Sequence, residues 1–331
     1  MPGSRITVLF ICLLAILPVF ISAQAVFIAG DLKITVSRKG EISSFYDLAR
    51  EKEYIDAGHP SPVMQVKVDG EWESPANAEY EPETGDASSG ILLLTYERSK
   101  VTLKIRVLQA PAYTRFELAG VSPAGRVDLV VWGPYPLKPD ETVGEIIGVV
   151  RNHEFALGLQ VLNVKTLGGF PLNDEGSDPS RSNTAKKTAS GSVLQAFSMD
   201  RSRPRRISAW WGQFPNMQVT PVEGETTEGS AIALFGCAAG KCLQTIGDIE
   251  LAEKLPHPMI NGAWGKASSQ AGRSYLIADY SESTVDELLG YTKRAELRTL
   301  YHMNGWKSWG HYELDSAFFP HGLNGFKTCL A

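Results

Sequence analysis

The sequence predicts a mainly β protein, a large antiparallel β-sandwich with one helix close to its C-terminal end. Three observations carry this. From Val26 to about Asp279, short apolar stretches follow the period of two that half-buried strands need. Gly, Pro, Asp and Asn punctuate them at short spacing, as antiparallel connections do. Beyond Glu282 the apolar period lengthens to that of a helix.

In order, the segment Ile28 to Val36 alternates and reads as a strand, and Lys39-Gly40 turns it into Glu41 to Phe45. Val63 to Val68 closes on Asp69-Gly70, a strong hairpin signal, and continues at Glu71-Trp72. Ile91 to Tyr96, Val101 to Leu108 and Thr114 to Leu118 follow. Val101, Leu103, Ile105 and Val107 share one face of their strand, opposite Lys104 and Arg106. Arg126 to Pro136 reads as a buried strand entering a rigid Trp-Gly-Pro-Tyr-Pro corner. Glu141 to Phe155 reads as a hairpin turning at Arg151 to Glu154. Strands resume at Val193 to Phe197, Ile207 to Trp211, Ile232 to Phe235 and Ser274 to Ala278. Glu282 to Leu300 is then the expected helix, with Ser283 as its N-cap and Val285, Leu288, Leu289 and Thr292 on one side.

Composition narrows the class. The 331 residues are 43 % hydrophobic and 21 % charged, a globular balance with material for a substantial core. A net charge of −5 lacks the excess of Lys and Arg that phosphate neutralisation needs, so no nucleic-acid partner is expected. The basic run Arg201 to Arg206 has no interleaved aromatic residues and reads as a solvated loop. Arg5, the apolar run Ile6 to Ile21 and the small residues Ser22-Ala23-Gln24-Ala25 form a secretory signal peptide over residues 1–25. No later run is long enough to span a membrane. The mature chain is therefore expected to be secreted or periplasmic, with no membrane partner after cleavage.

Cys12 leaves with the signal. Cys237 and Cys242 flank Ala238-Ala239-Gly240-Lys241, which reads as a hairpin turn. Two readings are open there: a disulfide across the hairpin, or two reduced strand cysteines. Without a CxxC pair, no zinc site is expected. In the polar stretch from Leu172 to Gly191, Asn173, Asp174, Glu175 and Asp178 carry oxygens that suit Ca²⁺. Their spacing matches no standard calcium loop, and the stretch reads as a solvated loop; no cofactor is expected.

The stretch with most chemistry is Tyr301 to Pro320. It holds Trp306, Trp309, Tyr312, Phe318 and Phe319 among Lys307, Glu313 and Asp315. Flat aromatic faces beside charged hydrogen-bonding groups suit a sugar, with its apolar C–H faces and rim of hydroxyls. Trp306, Lys307, Trp309 and Asp315 are the candidate substrate contacts for an oligo- or polysaccharide. Glu313 and Asp315 fall on one face of a regular strand, but that spacing does not make the carboxylate pair of a glycosidase. No catalytic residue is assigned.

The signal peptide, the long sandwich, the connecting helix and Asn304-Gly-Trp-Lys-Ser-Trp-Gly310 resemble the front half of a secreted multidomain glycoside hydrolase. In such enzymes a galactose-mutarotase-like sandwich precedes a (β/α)₈ barrel of the alpha-galactosidase type. The resemblance implies a sandwich over 26–280, a linker helix over 281–300, and a first barrel strand and helix start over 301–331. A barrel takes about 250 residues, and from Tyr301 only 31 remain. On this reading the catalytic carboxylates of later strands are missing and the chain alone is inactive. Two other readings stand beside it. One is a standalone extracytoplasmic carbohydrate-binding sandwich; the other is a mutarotase-like sugar epimerase using His153 or Glu154.

Overall fold

The computed structural model describes residues 25–330, apart from 57, 59–60, 145–146, 170, 172–182, 208–216, 266–267, 270–273 and 309–312. Residues 1–24 of the expected signal peptide, the candidate Ca²⁺ oxygens at 173–178, most of the expected strand Ile207 to Trp211, and Trp309 lie outside the described residues. The chain divides into two compact units, one up to Leu255 and one from Pro256.

Among the described residues, the strands of the first unit pair antiparallel and one α-helix accompanies them. One sheet has eight strands in the order Thr142–Gly144, Val149–Arg151, Phe155–Val161, Ala231–Ala238, Thr114–Ser122, Val101–Gln109, Asp86–Tyr96 and Asn77–Glu83. A second is built on Gly191–Met199, Leu129–Leu137, Met64–Val68 and Glu71–Glu73. A third runs through Ala25–Ala29, Leu32–Val36 and Glu41–Asp47. All three send side chains into one core: Leu103, Ile105 and Val107 from the first, Val66 and Trp132 from the second, Phe27 and Ile34 from the third. A sandwich is the form this takes, because each sheet has one apolar face to hide. Buried polar groups are matched across it. Tyr96 Oη donates to the Met64 carbonyl at 2.8 Å, and Trp132 Nε1 to Ser230 Oγ at 2.9 Å.

Several expectations hold. Asp69-Gly70 turns the Met64–Val68 hairpin with both residues at positive φ, 52° and 83°. Val101–Gln109 buries every second side chain, and the 149–151 strand pairs with 155–161 across the expected turn. Others are corrected. The expected strand from Ile28 to Val36 is a tight hairpin, folded at Gly30 and Asp31. The Trp-Gly-Pro-Tyr-Pro corner is a bulge within Leu129–Leu137, which pairs on past it to Leu137.

The largest correction concerns the cysteine hairpin. Cys242 does not start a returning strand; it starts the helix α1 (Cys242–Ala252). The reason lies in the Ala231–Ala238 strand, which is buried on both faces. Ile232 and Leu234 enter the main core, while Ala231, Ala233, Phe235 and Cys237 form a second cluster with Cys242, Ile246 and Ile249. Those last three recur at i, i+4 and i+7, one stripe of a helix, and that stripe covers the second face. Gly158 sits opposite Phe235 on the neighbouring strand, where a Cβ would fall 2.1 Å from the ring; its missing side chain makes the space the ring occupies. Tyr113 Oη donates to Glu253 Oε1 at 2.6 Å and fixes the helix end.

The second unit changes architecture. Tyr275–Ile277 and Thr299–Tyr301 are parallel and in register. They are joined by α2 (Val285–Arg294), shorter than the expected Glu282 to Leu300 because the chain leaves the helix at Ala295 and forms the second strand. The helix therefore makes the crossover a parallel pair requires, where the sequence suggested a linker. Leu288, Leu289 and Leu300 pack in one cluster with Val285, Tyr280 and Phe319. Trp306–Ser308 and Glu313–Leu314 then pair antiparallel, and α3 (Gly322–Leu330) follows.

Candidate functional site

The aromatic stretch does not form one continuous strand. Trp306 is partly buried, its ring 6.2 Å from that of Phe326 on α3. Lys307 is exposed and lies 3.2 Å from Glu313 Oε1, across the short hairpin. Asp315 follows the hairpin instead of continuing it. Its Oδ1 accepts from the Ala317 amide at 2.8 Å and its carbonyl accepts from the Phe318 and Phe319 amides, so this carboxylate starts the turn toward α3. The expected shared face of Glu313 and Asp315 therefore does not arise. Trp309 lies outside the described residues. Of the candidate contacts, Lys307 pairs with Glu313, Trp306 pairs in the ladder with Leu314, and Asp315 bonds the Gly305 carbonyl through its amide at 3.0 Å.

A second set of polar residues, absent from the sequence-based candidates, gathers at the carboxyl ends of the parallel strands. Asp279 follows Tyr275–Ile277; His302 and Asn304 follow Thr299–Tyr301. Asn304 Nδ2 donates to Asp279 Oδ2 at 2.9 Å, and His302 Nδ1 lies 3.3 Å from Asp279 Oδ1. That second contact has ion-pair distance without hydrogen-bond alignment, so both ring nitrogens of His302 remain buried without a hydrogen-bond partner. The ring is held between Tyr280 at 4.6 Å and Phe318 at 4.8 Å. The Asp279 carboxylate keeps about two-fifths of its surface open, 42 %. It is oriented on one side and free to accept hydroxyl hydrogens on the other. The local signal for this cluster is a polar residue within three positions of the end of each strand.

Beside α2 and α3 is a cavity of about 630 Å³ lined by Glu282, Asp286, His321, Asn324, Thr328 and Cys329. Glu282 accepts from the His321 amide at 2.9 Å and meets His321 Nδ1 at 2.6 Å. The ring contact holds the Glu282 carboxyl below its usual range. This places a carboxylate at the amino end of α3, where it satisfies a free amide.

The residues of the epimerase reading sit elsewhere. His153 is exposed in the turn after Val149–Arg151, and Glu154 is paired to Lys52 at 2.9 Å, which lowers its carboxyl pKa. Among the described residues no group of three or more His, Cys, Asp or Glu side chains is placed to hold a metal ion, and no helix is long and apolar enough to cross a membrane.

No protein-family model matches the chain, and no curated protein matches it by sequence. Solved structures that the chain is similar to include an alpha-N-acetylgalactosaminidase from Bifidobacterium bifidum in complex with GalNAc, at 9 % identity and TM-score 0.49, covering 92 % of this chain and 56 % of that one. A GH36 alpha-galactosidase from Geobacillus stearothermophilus matches at 11 % identity and TM-score 0.39, covering 93 % of this chain and 55 % of that one. The alpha-galactosidase from Lactobacillus brevis matches at 10 % identity and TM-score 0.40, with 93 % and 53 % covered. The chain thus spans little more than half the length of these structures.

Proposed function

We propose that this chain is the N-terminal region of a secreted glycoside hydrolase, in which a β-sandwich leads into the first parallel strands of a catalytic barrel. The observation that carries the reading is the strand–helix–strand unit from Tyr275 to Tyr301. Apart from Thr299, both strands carry apolar side chains on both faces, Leu276 opposite Tyr275 and Ile277, and Leu300 opposite Tyr301, as strands covered on both sides do. Leu300 packs with α2, whereas Tyr275, Ile277 and Tyr301 are exposed by 61, 50 and 48 %. Its polar residues Asp279, His302 and Asn304 stand at the carboxyl ends of the strands, where parallel α/β folds bind ligands. In this reading Trp306 and Lys307, with Trp309, add an aromatic and charged wall for a saccharide. Asp279 accepts its hydroxyls, and Asp315 supports the wall through the turn it caps. The carboxylate pair that cleaves the glycosidic bond would come from later strands, and this chain alone would be inactive.

The deciding observation is the coding sequence beyond the codon for Ala331. The expected result is an open frame of several hundred residues with paired Asp or Glu at strand ends; a frame continuing without barrel strands overturns the reading. Calorimetry of the intact chain with galactose, N-acetylgalactosamine and raffinose gives the second readout. Binding that survives unchanged in residues 26–255 alone favours the standalone sandwich instead.

A further inference from the structure

We propose that the first unit carries an anion-binding pocket at Arg203 and Arg205, which takes one carboxylate or sulfate group, either as a free oxyanion or on an acidic saccharide. The basic run is more than the solvated loop that its sequence suggests. Arg205 opens the short strand Arg205–Ile207, and the two arginines line a cavity of about 220 Å³ with Lys67, Asp128, Met199 and Asp200. That volume lies below the roughly 300 Å³ at which pockets for drug-sized ligands begin, so it admits a small group.

The two arginines are held differently. Arg203 Nε lies 3.0 Å from Asp200 Oδ2, and its Nη1 pairs with Asp128 Oδ1. The other oxygen of Asp200 accepts from the amide and the hydroxyl of Ser202, at 2.9 and 2.5 Å. Both carboxylates are thus met from within the pocket wall. Arg205 has no such partner among the described residues. Its Nε is buried without a hydrogen-bond acceptor, and its Nη1 meets the Met199 sulfur, a weak acceptor, at 3.6 Å. The guanidinium is half-buried, and that desolvation, with the like charge of Arg201, pushes its pKa down. A charged donor without an acceptor costs free energy that a bound oxyanion would offset. Lys67 brings a further cation to the lining; it is almost fully buried, with its Nζ 5.7 Å from the centre of the Trp72 ring. Three cations against two carboxylates leave the lining net positive. The guanidinium fork matches two oxygens of one carboxylate or sulfate, which favours that class over a neutral hydroxyl.

The pocket belongs to the first unit alone and stands whether or not the chain is part of a glycoside hydrolase. The test is calorimetry of the full chain with sodium sulfate, galacturonate and galactose, at one ionic strength set with sodium chloride. Sulfate and galacturonate should each bind saturably at one site and displace one another, and galactose should displace neither. In Arg205→Met both should bind about tenfold more weakly or worse, as loss of a charged hydrogen-bonding group implies. Arg205→Lys keeps the charge and loses the fork; it should weaken both by a smaller factor, and it carries the test if the Met variant does not fold. Galacturonate binding tighter than sulfate assigns the site to an acidic saccharide, and sulfate binding as tightly or more so assigns it to the free oxyanion. No saturable binding of either anion to the wild-type chain, or binding that a folded Arg205 variant leaves unchanged, overturns the proposal.

Discussion

The two units treat apolar surface in opposite ways. In the sandwich, even the strand that is apolar on both faces is covered twice. Ile232 and Leu234 face the main core, and Ala233 and Phe235 face α1. In the second unit, among the described residues, the parallel pair is covered by α2, while Tyr275, Ile277 and Tyr301 are exposed. An antiparallel sandwich completes its own burial because hairpins return each strand to the same core. A parallel pair cannot, since each further strand needs another crossover. The first unit therefore has the makings of an independently stable domain, and the second those of a piece that gains from a neighbour.

The contrast is most sharply broken at Phe235. It is fully buried between α1 and the sheet. Phe235→Ala should cost about 3–5 kcal/mol in chemical denaturation, the usual range for a buried aromatic side chain. Hydrogen exchange should place the loss across the sandwich strands and α1. If protection falls only in α1, the helix is an appendage and the doubly covered strand is not what holds the unit together.

A smaller effect is expected in the second unit at Gly325. A Cβ there would lie 1.8 Å from Glu282 Oε1. In Gly325→Ala the carboxylate must swing away and give up both contacts to His321. Amide protection in α3 should drop while the sandwich is unchanged. Retained protection would show that α3 is held by its apolar packing, with Phe326 against Phe319 and Trp306, rather than by Glu282.

Glu282 also separates the units by pH. Its folded pKa lies below the ordinary carboxylate value of 4.5, chiefly through the hydrogen bond with His321. The unfolded chain then binds the proton more readily, so stability rises with pH across this window. The contribution is complete above about pH 4.5 and is lost as pH falls through the lower folded value. Glu154 in the sandwich, lowered by Lys52, has the same sign. Glu282→Gln should flatten the acid limb for α3 exchange alone, and Glu154→Gln only that of the sandwich. An acid limb in α3 that keeps its slope in Glu282→Gln would place the titrating group elsewhere.

These residues also show what a linear reading reaches. Asp69-Gly70 and the alternation of Val101 to Val107 encode their geometry within a few positions, and both are legible. The helix α1 is not, because Cys242, Ile246 and Ile249 follow an apolar strand with only a short turn between, and that pattern suits a hairpin as well as a helix. Parallel pairing leaves no turn signature, so the register of Tyr275 with Thr299 was hidden, and with it the meeting of Asp279, His302 and Asn304. Trp306, Lys307 and Asp315 were singled out by residue type alone. Their roles depended on where the hairpin ended, one residue before Asp315.

The smallest expected effect tests the comparison most directly. Tyr275 and Ile277 stand on the same, outward side of their strand, so replacing both by Thr removes apolar area already in contact with water. Thr keeps the β-branched shape that suits a strand. The change in stability of this chain should stay within about 0.5 kcal/mol per site, the range for surface substitutions, and solubility should rise. A chain that carries further strands over this face would respond differently, because the same substitutions would then bury a hydroxyl and remove packed carbons, each costing about 1–3 kcal/mol. Measured in parallel on this chain and on any longer product of the same gene, the pair of substitutions reads out whether the exposed face is a surface or an interior awaiting its second half. Equal, near-zero effects in both would make it a surface and would remove the main support for the barrel.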